Sequence, residues 1–163
     1  MKQLLLIRHA KSSWADAGME DFDRPLNERG KKDAPEMAKR LLKRNISIDA
    51  FVSSTANRAQ TTCAAFMKLF NADKKKLFLK EELYLAPPQQ FEEVITLLDD
   101  AAETVAIFAH NPGITDFANS LTKTKVDDMP TCAVYAVKAD TKSWKQFATA
   151  KKTFWFFDYP KLF

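Results

Sequence analysis

Two short apolar runs in this sequence stop abruptly at a histidine. Leu4, Leu5, Leu6 and Ile7 lead into Arg8 and His9, and Thr104–Ala109 leads directly into His110. Continuous apolar runs of this length predict strands buried on both faces, as in a parallel sheet. Ala50, Phe51 and Val52 predict another short strand, and residues 76–79 a weaker one. Between these runs the apolar spacing becomes helical. Ala34, Met37, Ala38, Leu41 and Leu42 recur at one helix face, with Pro35 predicting a kink or a restart, and Phe91, Val94, Ile95 and Leu98 repeat the pattern. Ala59, Cys63, Phe66 and Phe70 mark a further helix, preceded by the cap candidates Ser53, Ser54 and Thr55 and carrying Arg58, Thr61 and Thr62 in its first turn.

After His110, Asn111 is a cap candidate with Pro112 at the first helical position, and Ile114, Phe117, Ala118 and Leu121 supply the buried stripe. The C-terminal part changes character. Residues 132–137 and 149–157 predict two strands joined by a polar turn at Asp140, Thr141 and Lys142, with the aromatic tail (Phe154, Trp155, Phe156, Phe157, Tyr159 and Phe163) packed on the sheet. Alternating strands and helices predict an α/β fold: a three-layer αβα sandwich whose sheet is mainly parallel, with helices on both faces and one strand reversed near an edge.

Composition narrows the class without choosing a function. A chain of 163 residues with 46% hydrophobic and 28% charged residues, 13 Phe and only 3 Gly reads as one globular domain over residues 1–163. The first apolar run is too short for a signal-peptide core or a membrane span, so the expected location is cytoplasmic, with no membrane partner. Cys63 and Cys132 lie far apart without CxxC or Cys/His spacing and read as reduced buried thiols. The net charge of +4 suits an acidic or phosphorylated partner. Its lysines are scattered or mixed with acids and accompany no nucleic-acid motif, so nucleic acid is not expected as a partner.

The candidate chemistry lies where the strands end. The two histidines are the only ones in the chain, and open α/β sheets place their ligand crevices at the carboxyl ends of strands. A histidine there is commonly structural, but its neighbours alter that reading. Arg8 adjoins His9, and Arg58 follows the strand at residues 50–52 at a helix start, where backbone N–H groups and the helix dipole favour anions. Two guanidiniums and a helix N-terminus describe a phosphate pocket. Each arginine alone could instead be a surface residue or an ion-pair partner. Metal binding by His9 and His110 is the other alternative, but paired guanidiniums repel a dication and no third ligand has suitable spacing.

Four stretches, in order, carry a resemblance. They are Leu6-Ile7-Arg8-His9-Ala10-Lys11-Ser12, Asp23-Arg24-Pro25-Leu26-Asn27-Glu28-Arg29-Gly30, residues 53–61 with a Ser-Ser-x-x-x-Arg-Ala-x-Thr pattern, and Ala109-His110-Asn111-Pro112-Gly113. The sequence resembles the histidine phosphatase superfamily with its phosphoglycerate mutase-like fold, and within it the SixA-type phosphohistidine phosphatases. The resemblance implies that His9 is the nucleophile and carries a transient phosphoryl group, and that Arg8, Arg58 and His110 bind the phosphoryl oxygens. A nucleophilic imidazole must be neutral, and the two arginines should depress its pKa. No cofactor or metal is called for, because the arginines supply the positive charge.

The same resemblance places a general acid after the third strand, where Glu82 is the candidate; a surface role for it is equally open. Lys11 and Ser12 are further substrate-binding candidates beside the pocket. Ala10 and Lys11 stand where the mutase branch has Gly and Glu, which argues against mutase activity. The implied substrate is a phosphorylated protein, such as phosphohistidine on a histidine phosphotransfer domain. A small phosphate ester, or a non-catalytic phosphate-binding role, is the alternative. The sequence leaves the oligomeric state open.

Overall fold

Alternate residues of the first apolar run face opposite ways, and this divides the core in two. In the computed structural model, which describes residues 1–162, the run forms β1 (Lys2–Arg8). Leu5 and Ile7 join Phe51, Phe66, Ala106 and Phe108 on one side, while Leu4 and Leu6 join Val52, Phe91, Ile107 and Phe117 on the other. The remaining strands are β2 (Ala50–Ser53), β3 (Leu77–Leu79), β4 (Thr104–Ala109), β5 (Val134–Ala139) and β6 (Lys152–Asp158). They form one six-stranded sheet in the order β3-β2-β4-β1-β5-β6. The first four run parallel; β5 is antiparallel to both β1 and β6, which is the expected reversal near an edge.

Helices α1 (Glu28–Lys43) and α2 (Asn57–Leu69) pack together on one side, and α3 (Pro88–Thr96) and α4 (Gly113–Leu121) on the other, completing three layers. The expected mainly parallel αβα sandwich is therefore the observed fold. No helix among the described residues is long and apolar enough to cross a membrane. Both cysteines are free and buried. Burial pushes the Cys63 thiol up to about 12 and raises Cys132 as well.

Several local features differ from those that the sequence predicts. Helix α1 continues through Pro35 without a restart, and the carbonyl left without its N–H partner belongs to exposed Lys31, where water can serve it. Ala56, and none of Ser53, Ser54 and Thr55, occupies the N-cap of α2; Ser54 Oγ instead accepts from the Ala56 N–H (3.2 Å) and faces His110. Helix α4 starts at Gly113 after a cis Asn111–Pro112 bond, and Asn111 Nδ2 donates to Asp128 and to the Met129 carbonyl rather than Asn111 capping the helix. Strand β5 starts at Val134 because Cys132 has a φ of 63°, left-handed backbone incompatible with a strand; its N–H bonds the carbonyls of Arg8 and His9.

The C-terminal strands are joined by more than a polar turn, since the connection includes a short 3-10 turn, Trp144–Gln146, whose Trp144 is fully buried and donates to Ala102. Phe156 is buried on β6 and its aromatic neighbours are partly buried; Phe163 lies outside the described residues. Two close approaches fix the loops that follow β1 and β4. A Cβ on Gly30 would lie 2.2 Å from the Lys11 carbonyl oxygen, and one on Gly113 would lie 1.7 Å from that of Ala86. Only glycine lets α1 and α4 come this near to the loops that shape the site.

Candidate functional site

Parallel strands deliver the chain to one rim of the sheet, and β1, β2 and β4 end there with His9, the Ser53–Ser54 turn before Arg58, and His110. The two imidazoles lie 5.1 Å apart, centroid to centroid, and are tilted by 51°. His9 is buried, and its Nδ1 lies 2.7 Å from the Ala10 carbonyl oxygen. A carbonyl can only accept, so Nδ1 carries the proton and Nε2 keeps its lone pair. Arg58, itself buried in the first turn of α2, donates from Nε to that Nε2 at 3.3 Å. The loop after His9 is tied down by Thr62, whose hydroxyl accepts from Ala10 N (2.9 Å) and donates to the Arg58 carbonyl (2.7 Å).

His110 is held through its other ring nitrogen. Its Nε2 lies 2.8 Å from Ser54 Oγ, which accepts from Ala56 N and has a hydroxyl hydrogen that can donate to His110. With that donation the ring proton sits on Nδ1, which is buried without a partner. Arg8 donates from Nη1 to the Met129 carbonyl at 2.8 Å, and its Nε is likewise buried without a partner. Buried donors are normally satisfied. Arg8 and His110 line the same pocket as His9, and two such unpartnered nitrogens are what a ligand rich in acceptor oxygens would satisfy.

Arg8, His9, Arg58 and His110 line a pocket of about 190 Å³ together with Lys11, Ser12, Trp14, Arg24, Asn111 and Thr131. This is smaller than the roughly 300 Å³ at which drug-sized sites begin, and suits a phosphoryl group better. A larger, more apolar groove of about 430 Å³ lies between α3 and β3, lined by Ala50, Phe78, Val94 and Leu98 among others. It contains no histidine, so chemistry rather than volume selects the smaller pocket.

The structure also brings in residues that the strand-end pattern did not single out. Asp21, on a 3-10 turn spanning Asp21–Asp23, accepts from Arg58 with its carbonyl (2.7 Å) and with Oδ2 (3.0 Å), from Tyr84 with Oδ2 (2.5 Å), and from Arg24 with Oδ1. Tyr84 stands edge-on to His110 with centroids 5.5 Å apart. Arg24 donates to Ser12 Oγ at 2.8 Å and to the Ser13 carbonyl, so Ser12 reaches the pocket mainly as a support for that arginine. Lys11 is exposed at the mouth. Glu82 does not line the pocket. It sits exposed in the 3-10 turn Glu81–Leu83, because Leu83 is drawn into the core, which turns Glu82 outward and Tyr84 toward His110.

Both histidines are held neutral. Burial, then Arg58, Arg8 and Arg24, bring the His9 pKa down to about 3 against the opposing pull of the Ala10 carbonyl. Burial, His9 and the two arginines bring His110 to about 3 as well. The arginines act in the expected direction, but loss of water is the larger cause. Burial opposes the ionisation of Asp21, but Tyr84, Arg58 and Arg24 outweigh it and hold its carboxyl at about 2. A pH dependence of stability follows. Below the ordinary value of 6.5 the unfolded chain protonates both histidines while the folded one does not, so stability declines as pH falls from 6.5 toward 3. Asp21 contributes to acid sensitivity only below its ordinary 3.8. Urea midpoints measured between pH 6.5 and 3.8 should therefore fall, and His110→Gln should flatten that slope.

No group of three or more His, Cys, Asp or Glu side chains among the described residues is arranged to hold a metal. Residues 4–84 match the model of the histidine phosphatase superfamily (branch 1). The chain is 36% identical over 92 residues to the mitochondrial serine/threonine-protein phosphatase Pgam5 of Drosophila melanogaster, a match covering 54% of this chain and 31% of that one. With a relative from Mycobacterium tuberculosis the identity is 36% over 107 residues, covering 65% of this chain and 63% of the other. The chain thus spans less than two thirds of the length of these curated relatives. Its structure is similar to that of a candidate phosphohistidine phosphatase SixA from Agrobacterium tumefaciens, at 25% identity and a TM-score of 0.82 over 98% of both chains. It also shares its fold with the protein histidine phosphatase SixA solved with tungstate, at 19% identity and a TM-score of 0.81 over 96% of both.

Proposed function

The chain belongs to the histidine phosphatase superfamily, and we propose that it hydrolyses protein phosphohistidine through a covalent phosphoryl intermediate on His9. In the first step the lone pair on His9 Nε2 attacks phosphorus. The new P–N bond forms as the bond to the substrate imidazole breaks, and the bonding pair leaves with that imidazole, which takes its proton from solvent. The incoming group displaces the long Arg58 contact at Nε2. Charge spreading over the three equatorial oxygens is met by Arg58, by Arg8 and by the Nδ1–H of His110. As P–N bonding makes the ring cationic, the Ala10 carbonyl at Nδ1 stabilises it. Water then attacks the phosphoryl group on His9, and inorganic phosphate and neutral His9 are released.

One observation supports phosphohistidine over an ester: none of the pocket's lining residues is a carboxylic acid. Asp21, which bonds Arg58, Arg24 and Tyr84 at the edge of the site, is ionised at about 2, so it has no proton to give near neutral pH. An alkoxide leaving group depends on such a proton; an imidazole depends on it far less. A site open at Lys11 and Trp14 also suits a side chain presented by another protein, such as a phosphotransfer domain. Purified protein should hydrolyse a phosphohistidine peptide with kcat/KM at least about 10²-fold above that for an alkyl phosphate, the usual worth of general acid catalysis. A faster rate on the alkyl ester would overturn the phosphohistidine assignment.

A further inference from the structure

Trp14 is 73% exposed and yet held in place. The Arg24 guanidinium lies over its ring, 3.5 Å from the centroid. That guanidinium is itself fixed by Ser12 Oγ, the Ser13 carbonyl and Asp21 Oδ1. Nε, Nη1 and Nη2 of Arg24 each have a partner, so the guanidinium is fixed in place and presents its flat face to the indole. Arg24 is buried. An indole fixed on one face by a buried, hydrogen-bonded cation and open to solvent on the other differs from an aromatic side chain merely stranded on a surface.

Trp14 lines the same pocket as His9, with His9 buried in it and Trp14 exposed at its mouth. Phosphoryl transfer places the entering and leaving atoms in line on opposite sides of phosphorus. With the nucleophile inside, the leaving group points outward, to the part of the pocket where Trp14 stands. We propose that Trp14 is a specificity residue: its open face stacks on a flat, unsaturated leaving group, the imidazole of phosphohistidine or the ring of an aryl phosphate, and so selects planar leaving groups. This rests on the His9 phosphatase reading and extends it from the phosphoryl group to the group that departs. Stacking orients the ring before the P–N bond breaks and adds contact that an alkyl or ammonia leaving group cannot use.

Phosphoramidate is the informative control, because it presents the same P–N bond with ammonia in place of a ring. Trp14→Leu should lower kcat/KM about tenfold for a phosphohistidine peptide and for p-nitrophenyl phosphate, the rate equivalent of one stacking contact. Hydrolysis of phosphoramidate should change less than about twofold, and Trp14→Phe should restore most of the loss on the two ring substrates. Dependence confined to p-nitrophenyl phosphate would still support the platform and would make an aryl ester its source. An equal loss on phosphoramidate would overturn the proposal, since Trp14 would then act only by holding Arg24, as would an unchanged rate on both ring substrates. Binding separates this from the parent reading. In His9→Ala protein, phosphohistidine peptide should quench indole emission more than phosphoramidate does, and Trp14→Phe should remove the difference. Quenching without turnover in the wild type would defeat the phosphatase reading and leave the platform standing; no quenching difference would defeat the platform.

Discussion

His9→Ala should reduce turnover by about 10⁴-fold or more, since it removes the proposed nucleophile rather than one of several oxygen contacts. It should also abolish the acid-labile phosphoryl label that the wild-type protein retains when quenched during turnover of a radiolabelled substrate. The geometry makes the expected attachment specific: Nδ1 is committed to the Ala10 carbonyl at 2.7 Å, so the label belongs on Nε2. Because His9 is buried and neutral down to about 3, the nucleophile needs no activation by a base in the range from pH 5 to 8. Turnover surviving in His9→Ala, or label mapping to His110, would show that the covalent step is misassigned. Circular dichroism of the variant keeps loss of fold apart from loss of chemistry.

Arg58→Ala should have the next largest effect, about 10³-fold and mainly in kcat, which is the scale set by removal of a preorganised donor from developing charge. Lysine should not rescue it. One ammonium cannot reproduce both the fork held by the Asp21 carbonyl and Oδ2 and the Nε contact to His9. Asp21→Asn tests the same arrangement from its outer side. It keeps the size of the side chain but removes the charge that orients Arg58 and Arg24, and a loss of about tenfold in kcat with KM little changed is expected. Steady-state kinetics on a phosphohistidine peptide measures both. An Arg58→Ala variant within tenfold of wild type would mean that Arg58 is not a transition-state donor.

The fold was legible because its signal is short in range. Alternation within β1 assigns Leu5 and Ile7 to one face and Leu4 and Leu6 to the other, and the helical spacing of Phe91, Val94 and Ile95 is read from neighbours three and four apart. The ends of β1 and β4 were legible for the same reason, since an apolar run stops at a polar residue. The caps were less so. Ser54 and Asn111 have the chemistry of caps, but each found a better partner far along the chain, Ser54 at His110 and Asn111 at Asp128 and Met129. Local preference for a cap is worth about 1 kcal/mol and yields readily to a buried tertiary bond.

Glu82 shows the limit most directly. In the sequence it stands one position from Glu81 and two from Tyr84, with nothing to say which of them faces the histidines. The burial of Leu83 decides it, leaving Glu82 in solvent and placing Tyr84 against His110 and Asp21. Asp21, Arg24 and Trp14 come from the segment between β1 and α1, which has no apolar period to read, and they reach the pocket through contacts with residues up to 63 positions away.

The chain's own pattern was thus enough to place two histidines and two arginines on one rim of a mainly parallel sheet. Strand direction and strand end are local properties of apolar runs, and parallel pairing then gathers the ends. Folding in three dimensions decided which ring nitrogen is free, why both imidazoles stay neutral, and what surrounds the leaving group. Those depend on burial and on donors and acceptors supplied by loops distant in sequence, and desolvation and hydrogen-bond geometry exist only once the loops have been brought together.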